Sequence, residues 1–269
     1  MRELIKSDIK RMLKDKLILI ACIIGGAFAI ITPLLYKAIF GLLEVEEMLG
    51  MLVDAKSQYF ASFSPANNFG MIAPVFVAVI ICKDFSYGTV RNKIVSGHSR
   101  RAIYLSVAVA SATVLTALMM AHALLTLGFS LLFFDYAPGL SLLEDAGYFL
   151  LSTLLEILVC ICISALVSFI AVTTRNIGLS ILGFFAVNFV FLILGSITSV
   201  VVQLSGDDGS LVYGIISTLD KINIFTSTVI GYGTQYEWYD LLAASLPTVL
   251  GTAVLTLLGV KLFARRDLK

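Results

Sequence analysis

Residues 83–106 read KDFSYGTVRNKIVSGHSRRAIYLS, a compact run of charge, glycine and aromatic residues between two long apolar segments. The whole chain is 59% hydrophobic and 14% charged, far from the roughly 25% charge of a soluble domain. Working outward, six stretches, at 17–36, 57–82, 102–134, 146–174, 177–206 and 241–260, can each cross a hydrocarbon core that ~20 helical residues span. Glu156 is the one charged residue inside them.

The alternating pattern of a membrane barrel is absent, so helices must satisfy the backbone in lipid. The first apolar run is too long for a signal peptide and lacks a small-residue cleavage pattern, so it reads as a retained span. The expected architecture is an all-α integral membrane protein with one six-helix domain over 17–264. An amphipathic interfacial helix over 1–16 precedes it, and a cytosolic tail over 265–269 follows. Residues 205–240 mix isoleucines, glycines and tyrosines; a solvated loop has no use for so many apolar groups. They are expected to dip into or lie upon the outer leaflet, with Trp238 and Tyr239 as interfacial anchors.

Lys and Arg concentrate in 1–16, in 83–101, at Arg175 and in the last nine residues, with Lys37, Lys56 and Lys221 as exceptions. Acidic residues fill the alternate connections, among them Glu44, Asp54, Asp135, Asp145, Asp207 and Asp240. Because the Lys and Arg bias sets orientation, both termini and the quoted stretch are expected in the cytoplasm. Cys22, Cys82, Cys160 and Cys162 all lie in or beside spans, which implies no disulfide framework.

In residues 2–16, Leu4, Ile5, Ile9, Met12 and Leu13 form an apolar stripe and Lys6, Lys10 and Lys14 a basic one. Such a helix lies on the inner surface, facing anionic lipid or an acidic partner. In the first span Ala21, Gly25 and Ala29 form a small-residue face suited to close helix approach. Pro33 and Pro74 each remove a helical donor. The 33-residue third span exceeds what the bilayer requires, so it tilts or projects outward.

The chain has no phosphate-binding loop and no His-Glu-x-x-His helix; His98 and His122 are its two histidines. A membrane-embedded hydrolase therefore lacks its nucleophile or metal cluster. An ionisable residue inside a span is a functional candidate by default. His122 and Glu156 stand at similar depths if the third and fourth helices are antiparallel, and they are expected to share a hydrogen bond, with Thr126 nearby, that locks the two helices together.

The quoted stretch, read as physics, is a short helix along the inner surface with Phe85, Tyr87, Ile94 and Val95 able to plug a groove. Its order of residues resembles the region after the second span in the ABC type-2 permease family: an acidic residue at Asp84, then Phe85, Gly88 and Thr89, basic Arg91 and Lys93, and a Ser99, Arg100, Ile103 return. A glutamate is common where Asp84 stands. The basic N-terminal helix, six spans and inward termini fit the same resemblance. It implies that Asp84, Phe85, Tyr87, Gly88, Thr89, Arg91, Lys93 and Ile94 form a coupling helix seated in a separate ATPase subunit. The implied complex holds two permeases and two ATPases, with ATP and Mg on the ATPases and no cofactor on this chain. By the same analogy Ala21, Gly25, Ala29, Asn67, Asn68 and Asn188 line the translocation path or dimer seam.

A conduit poor in fixed charge suits amphipathic cargo better than small ions. The expected role is export of a peptide, toxin or antimicrobial, or immunity to one, in a bacterial cell membrane, with membrane lipid and no nucleic acid as partners. Lipid-like, drug or ion cargo is the alternative within the family, and a nucleotide-independent channel or signalling subunit the alternative outside it. One expected outcome follows from charge alone. In a cysteine-free background, Ser96→Cys is labelled by an impermeant maleimide only from the cytoplasmic side and Leu143→Cys only from the opposite side; the reverse pattern overturns the orientation.

Overall fold

The computed structural model describes residues 1–42, 53–205, 211–223 and 238–265. Glu44, Glu46, Glu47, the acidic pair at 207–208, most of the aromatic part of 205–240 and the tail beyond Arg265 lie outside the described residues. Ten helices are described: α1 (Arg2–Leu13), α2 (Lys16–Leu42), α3 (Ala55–Ala61), α4 (Asn68–Ser86), α5 (Thr89–Val95), α6 (Arg100–Ser130), α7 (Ala146–Thr174), α8 (Ile177–Ser205), α9 (Leu211–Ile222) and α10 (Trp238–Arg265). Six of them, α2, α4, α6, α7, α8 and α10, are long and apolar enough to cross a membrane.

These six divide by burial. The most apolar windows of α4, α6 and α7 are 56%, 56% and 61% buried, whereas those of α2, α8 and α10 are 28%, 17% and 17% buried. The first three therefore form the core, and the others lean on it with one face each. On α2 that face is Ile18, Ala21, Gly25, Ala29 and Pro33, spaced by three or four. The rest of α2 presents Leu19, Ile23, Ile31 and Leu35 outward.

The continuous span expected over 57–82 is broken. α3 starts at Asp54, whose carboxylate accepts from the Ser57 backbone N–H at 2.6 Å, and stops at Ala61. Pro65 has no N–H to give and disfavours a helical Ser64, so the chain turns before α4 restarts. The Asn67 amide closes this turn by donating to the Ala61 carbonyl at 3.0 Å. Asn188 of α8 donates to the Pro65 carbonyl, also at 3.0 Å. The break thus has its backbone partners inside the protein, as lipid demands. Gly70 makes the turn possible, since a Cβ there would stand 2.1 Å from the Ser64 carbonyl oxygen.

α6 is the central post, 31 residues or ~46 Å long, and it touches α1, α2, α3, α4, α7 and α10. The third span ends four residues earlier than the apolar run does, because 131–134 form turns that lead into the connection to α7. Ser111, Ser164 and Ser168 are fully buried where α6 meets α7. Their hydroxyls bond one another, Ser111 to Ser168 at 2.7 Å and Ser164 to Ser111 at 3.0 Å, so two helices approach closely without leaving polar atoms unmatched. Further along, α9 folds back along α8. Asp220 accepts from Thr198 and Ser199, both at 2.7 Å, and Asn223 donates to the Phe191 carbonyl at 2.8 Å. Phe191 precedes the end of α8 by about four turns, ~21 Å of helix, which sets how far α9 reaches down it.

α10 lies mainly against α7, and crosses α6 at Gly259. There a Cβ would come within 1.9 Å of the Tyr104 hydroxyl oxygen, itself buried with no hydrogen-bond partner among the described residues. Gly259→Val is expected to destabilise the fold by ~1–3 kcal/mol through overpacking, whereas Tyr104→Phe is close to neutral because no bond is lost. Thermal unfolding in detergent checks the pair; equal midpoints for Gly259→Val and the parent protein would contradict the contact.

Candidate functional site

α5 stands between two left-handed glycine turns, Gly88 at φ 69° and Gly97 at φ 87°. Only glycine adopts these readily, so each end of α5 reverses within one residue. The helix keeps Val90 buried and Ile94 half-buried against the core, with Thr89 and Gly88 half-buried beside them. It turns Arg91, Asn92 and Val95 outward, and Val95 is 81% exposed. Tyr87, just before the first glycine, is 75% exposed. The exposed arginine and valine of this short helix and the exposed tyrosine just before it thus share one outward surface.

Behind this surface α1 is bolted to the core by charge. Asp8 is buried and accepts from Lys93 of α5 at 2.5 Å and from the Ser106 hydroxyl of α6 at 2.6 Å. Arg11 forms a two-pronged pair with Asp84 of α4 and lies 3.7 Å from Asp8. Lys83 reaches Asp15 at 3.2 Å, and Asp15 also caps the start of α2 through the Leu17 N–H at 2.9 Å. One network therefore ties α1, α2, α4, α5 and α6. The exposed face of α1 keeps Lys6, Lys10 and Lys14.

Three residues of the expected coupling surface are engaged within the chain itself. Asp84 is buried and engaged by Arg11, and so is closed to an outside partner. Phe85 is half-buried, its ring 6.3 Å from Phe263 of α10 and 5.7 Å from the Arg175 guanidinium. α4 continues through Ser86, and its last turn points these side chains at the protein's own helices. Lys93, too, is held inside by Asp8. Tyr87, Arg91 and Val95 remain outward. Asp8 escaped the sequence reading although a signal was present: it stands midway between Leu4 and Met12 on the buried stripe of α1, where a solvated acid has no place.

The expected His122–Glu156 bond is also corrected. His122 Nδ1 bonds the Gly25 carbonyl of α2 at 2.9 Å, its ring lies 4.8 Å from that of Phe69, and Thr126 donates to the His122 carbonyl at 2.9 Å. Glu156 is buried, and its Oε2 meets no partner among the described residues. Equal depth fixed the height of the two side chains but not their direction around each helix. Ala21, Gly25 and Ala29, expected at a path or seam, are buried against the chain's own α4 and α6, Gly25 directly under the Phe69 ring. Asn67, Asn68 and Asn188 do not join them. Asn67 and Asn188 hold the α3–α4 turn, and Asn68 donates to the Thr32 hydroxyl at 3.2 Å.

At the opposite end, Lys56 is explained as an exception to the charge bias. It pairs with Asp145 at 2.7 Å, both buried, and lies 4.7 Å from the centre of the Tyr148 ring. Tyr136 donates to Asp145 at 2.6 Å; burial, then that bond, pushes its hydroxyl pKa up. The backbone joins in, with Ala55 and Lys56 N–H groups donating to the Asp135 and Tyr136 carbonyls at 3.0 and 2.9 Å. Among the described residues no three His, Cys, Asp or Glu side chains converge as a metal site. All four cysteines are free.

No family model matches the chain, and no curated protein matches it. The functional reading therefore rests on these residues.

Removing one partner of a buried ion pair strands the other, costing about 3–5 kcal/mol, while replacing both with apolar groups is often neutral. Arg11→Met alone is thus expected to lower the unfolding midpoint and loosen α1 toward protease, and Arg11→Met with Asp84→Leu to recover most of the loss. No recovery in the double variant would show the pair contributes nothing specific.

Proposed function

We propose that this chain is the permease subunit of an ATP-driven exporter of the ABC type-2 kind, acting as a pair of copies on two separate ATPase subunits. The observation that carries the reading is α5. A seven-residue helix held between two glycine turns presents Arg91 and Val95, with Tyr87 exposed just before its first glycine, while Val90 and the Lys93–Asp8 bond brace its back. A solvated connection needs neither the exposed apolar groups nor the brace. A helix that receives force from a partner needs both, because a push on α5 must reach the spans without being lost in a soft loop.

The network gives that push a route. Lys93 carries it to Asp8 and α1, Asp8 to Ser106 on α6, and Arg11 to Asp84 on α4. Two of the three core spans are thus linked to α5 by charge-assisted bonds, the stronger kind. This chain supplies no phosphate-binding loop, so ATP and Mg belong to the partner. The cargo that suits spans of this composition is an amphipathic peptide, since Glu156 is the one charged residue within the apolar stretches and small ions are selected by rings of charge or carbonyls.

Co-expression with a candidate ATPase and purification through a tag on this chain tests the docking. The parent protein is expected to retain the ATPase, Val95→Asp and Tyr87→Ala to lose it at least tenfold, and Lys6→Ala on the far face of α1 to keep it. Retention at parent ratios by both surface variants would remove α5 as the docking element. In vesicles, ATP hydrolysis is expected to rise with amphipathic peptides; stimulation by drugs or lipids and by no peptide would overturn the cargo.

A further inference from the structure

α10 packs most heavily on α7, yet where its residues are small the two helices leave an open groove between them. Leu158 and Ile161 of α7 form one wall; Thr248, Thr252, Ala253 and Leu257 of α10 form the other. Its free space is about 520 Å³, within the ~300–1,000 Å³ of small-ligand sites. Both helices are among the six that can cross a membrane, and the most apolar window of α10 is 17% buried, so the groove opens to the bilayer.

What the groove accepts follows from its walls. The Thr248 and Thr252 hydroxyls donate to the Ala244 and Thr248 carbonyls of their own helix, at 2.7 and 2.8 Å. The surface that remains is almost wholly apolar. A polar ligand would give up its hydration here for little in return, whereas a hydrocarbon chain needs only contact.

Length and charge narrow the occupant further. From Thr248 to Leu257 the helix rises ~14 Å, about half of a hydrocarbon core ~30 Å thick, which is the depth that the acyl chains of one leaflet fill. Lys261 follows Leu257 by one turn and Arg265 follows Lys261 by another, and both are exposed. Arg100 of α6 reaches the same end of α10, donating to the Ala264 carbonyl at 3.4 Å. Basic side chains therefore gather where the groove runs out, and their long stems carry the charge to headgroup level. A second copy is a poorer fit: symmetric pairing through this groove about an axis along the membrane normal would set the two basic clusters side by side, like charge against like.

We propose that the groove between α7 and α10 binds one acyl chain of an anionic phospholipid, with the phosphate held at Lys261 and Arg265. Basic residues at the ends of membrane helices select anionic headgroups; here they adjoin a place for the chain. The site uses no residue of α5 and no ATPase, so it stands or falls apart from the exporter reading.

The test uses the full chain in nanodiscs of phosphatidylcholine, with a trace of phosphatidylglycerol or phosphatidylcholine carrying a photoactivatable diazirine in mid-chain. The glycerol lipid is expected to crosslink to residues 158–161 and 248–257 at least fivefold more than the choline lipid. Ala253→Phe, which fills an exposed point of the groove, is expected to lower that crosslinking at least fivefold, and Val254→Phe, exposed but not lining the groove, to leave it at the parent level. Lys261→Gln combined with Arg265→Gln is expected to bring the glycerol lipid down to the choline level. Equal labelling by the two headgroups in the parent protein, labelling that survives Ala253→Phe, or a headgroup preference that survives the double variant would each overturn the site. A photoactivatable fatty acid that labels as strongly as the glycerol lipid would overturn the choice of lipid, and crosslinks between two copies in place of lipid would assign the groove to a second chain.

Discussion

The Asp8 carboxylate is the point on which the half of the structure that carries α1 and α5 turns. A buried carboxylate without partners is costly to the fold by several kcal/mol or more, and it is stable only where positive charge and hydrogen-bond donors surround it. Here Lys93 and Ser106 bond it and Arg11 stands close by. To meet that demand α1 must lie against α6, and α5 must be near enough for Lys93 to reach. Arg11, placed by the same helix, is then in position to answer the second buried acid, Asp84. Two costly charges thus fix the relative placement of four helices that apolar contact alone would let slide.

The same rule governs the middle of the molecule with uncharged groups. In lipid every backbone carbonyl released by a helix break needs a donor. The turn between α3 and α4 obtains its donors from Asn67 and from Asn188 on a helix more than a hundred residues away. His122 answers α2 in the same way at Gly25. Side chains that look like candidate functional groups in a linear sequence are, in three dimensions, partners of particular carbonyls. At the end opposite α1 and α5, Lys56 and Asp145 repeat the device with charge, joining α3 to the start of α7.

Between these ends the core trio α4, α6 and α7 is bound by small residues and serine contacts, and α2, α8 and α10 expose most of their apolar surface. The short helix α5 is tied to this arrangement through the Lys93–Asp8 pair.

The sequence by itself determined the number of crossing helices and the boundaries of the fourth and fifth to within a residue, because ~20 uninterrupted apolar residues leave one physical solution in a bilayer. It also located α5, since Gly88 and Thr89 lead into a short amphipathic run with Ile94 and Val95. Tertiary structure alone decided direction: that Asp84 and Phe85 face inward, that His122 turns to Gly25 and away from Glu156, that the small-residue face of α2 meets its own chain, and that Pro65 ends α3. Periodicity places a side chain on a face of its helix, but which neighbour that face meets depends on how six nearly cylindrical helices are rotated about their axes. That rotation is set by a few long-range bonds, Asp8 to Lys93, Asn188 to Pro65 and Lys56 to Asp145, between residues whose separation along the chain carries no local signal.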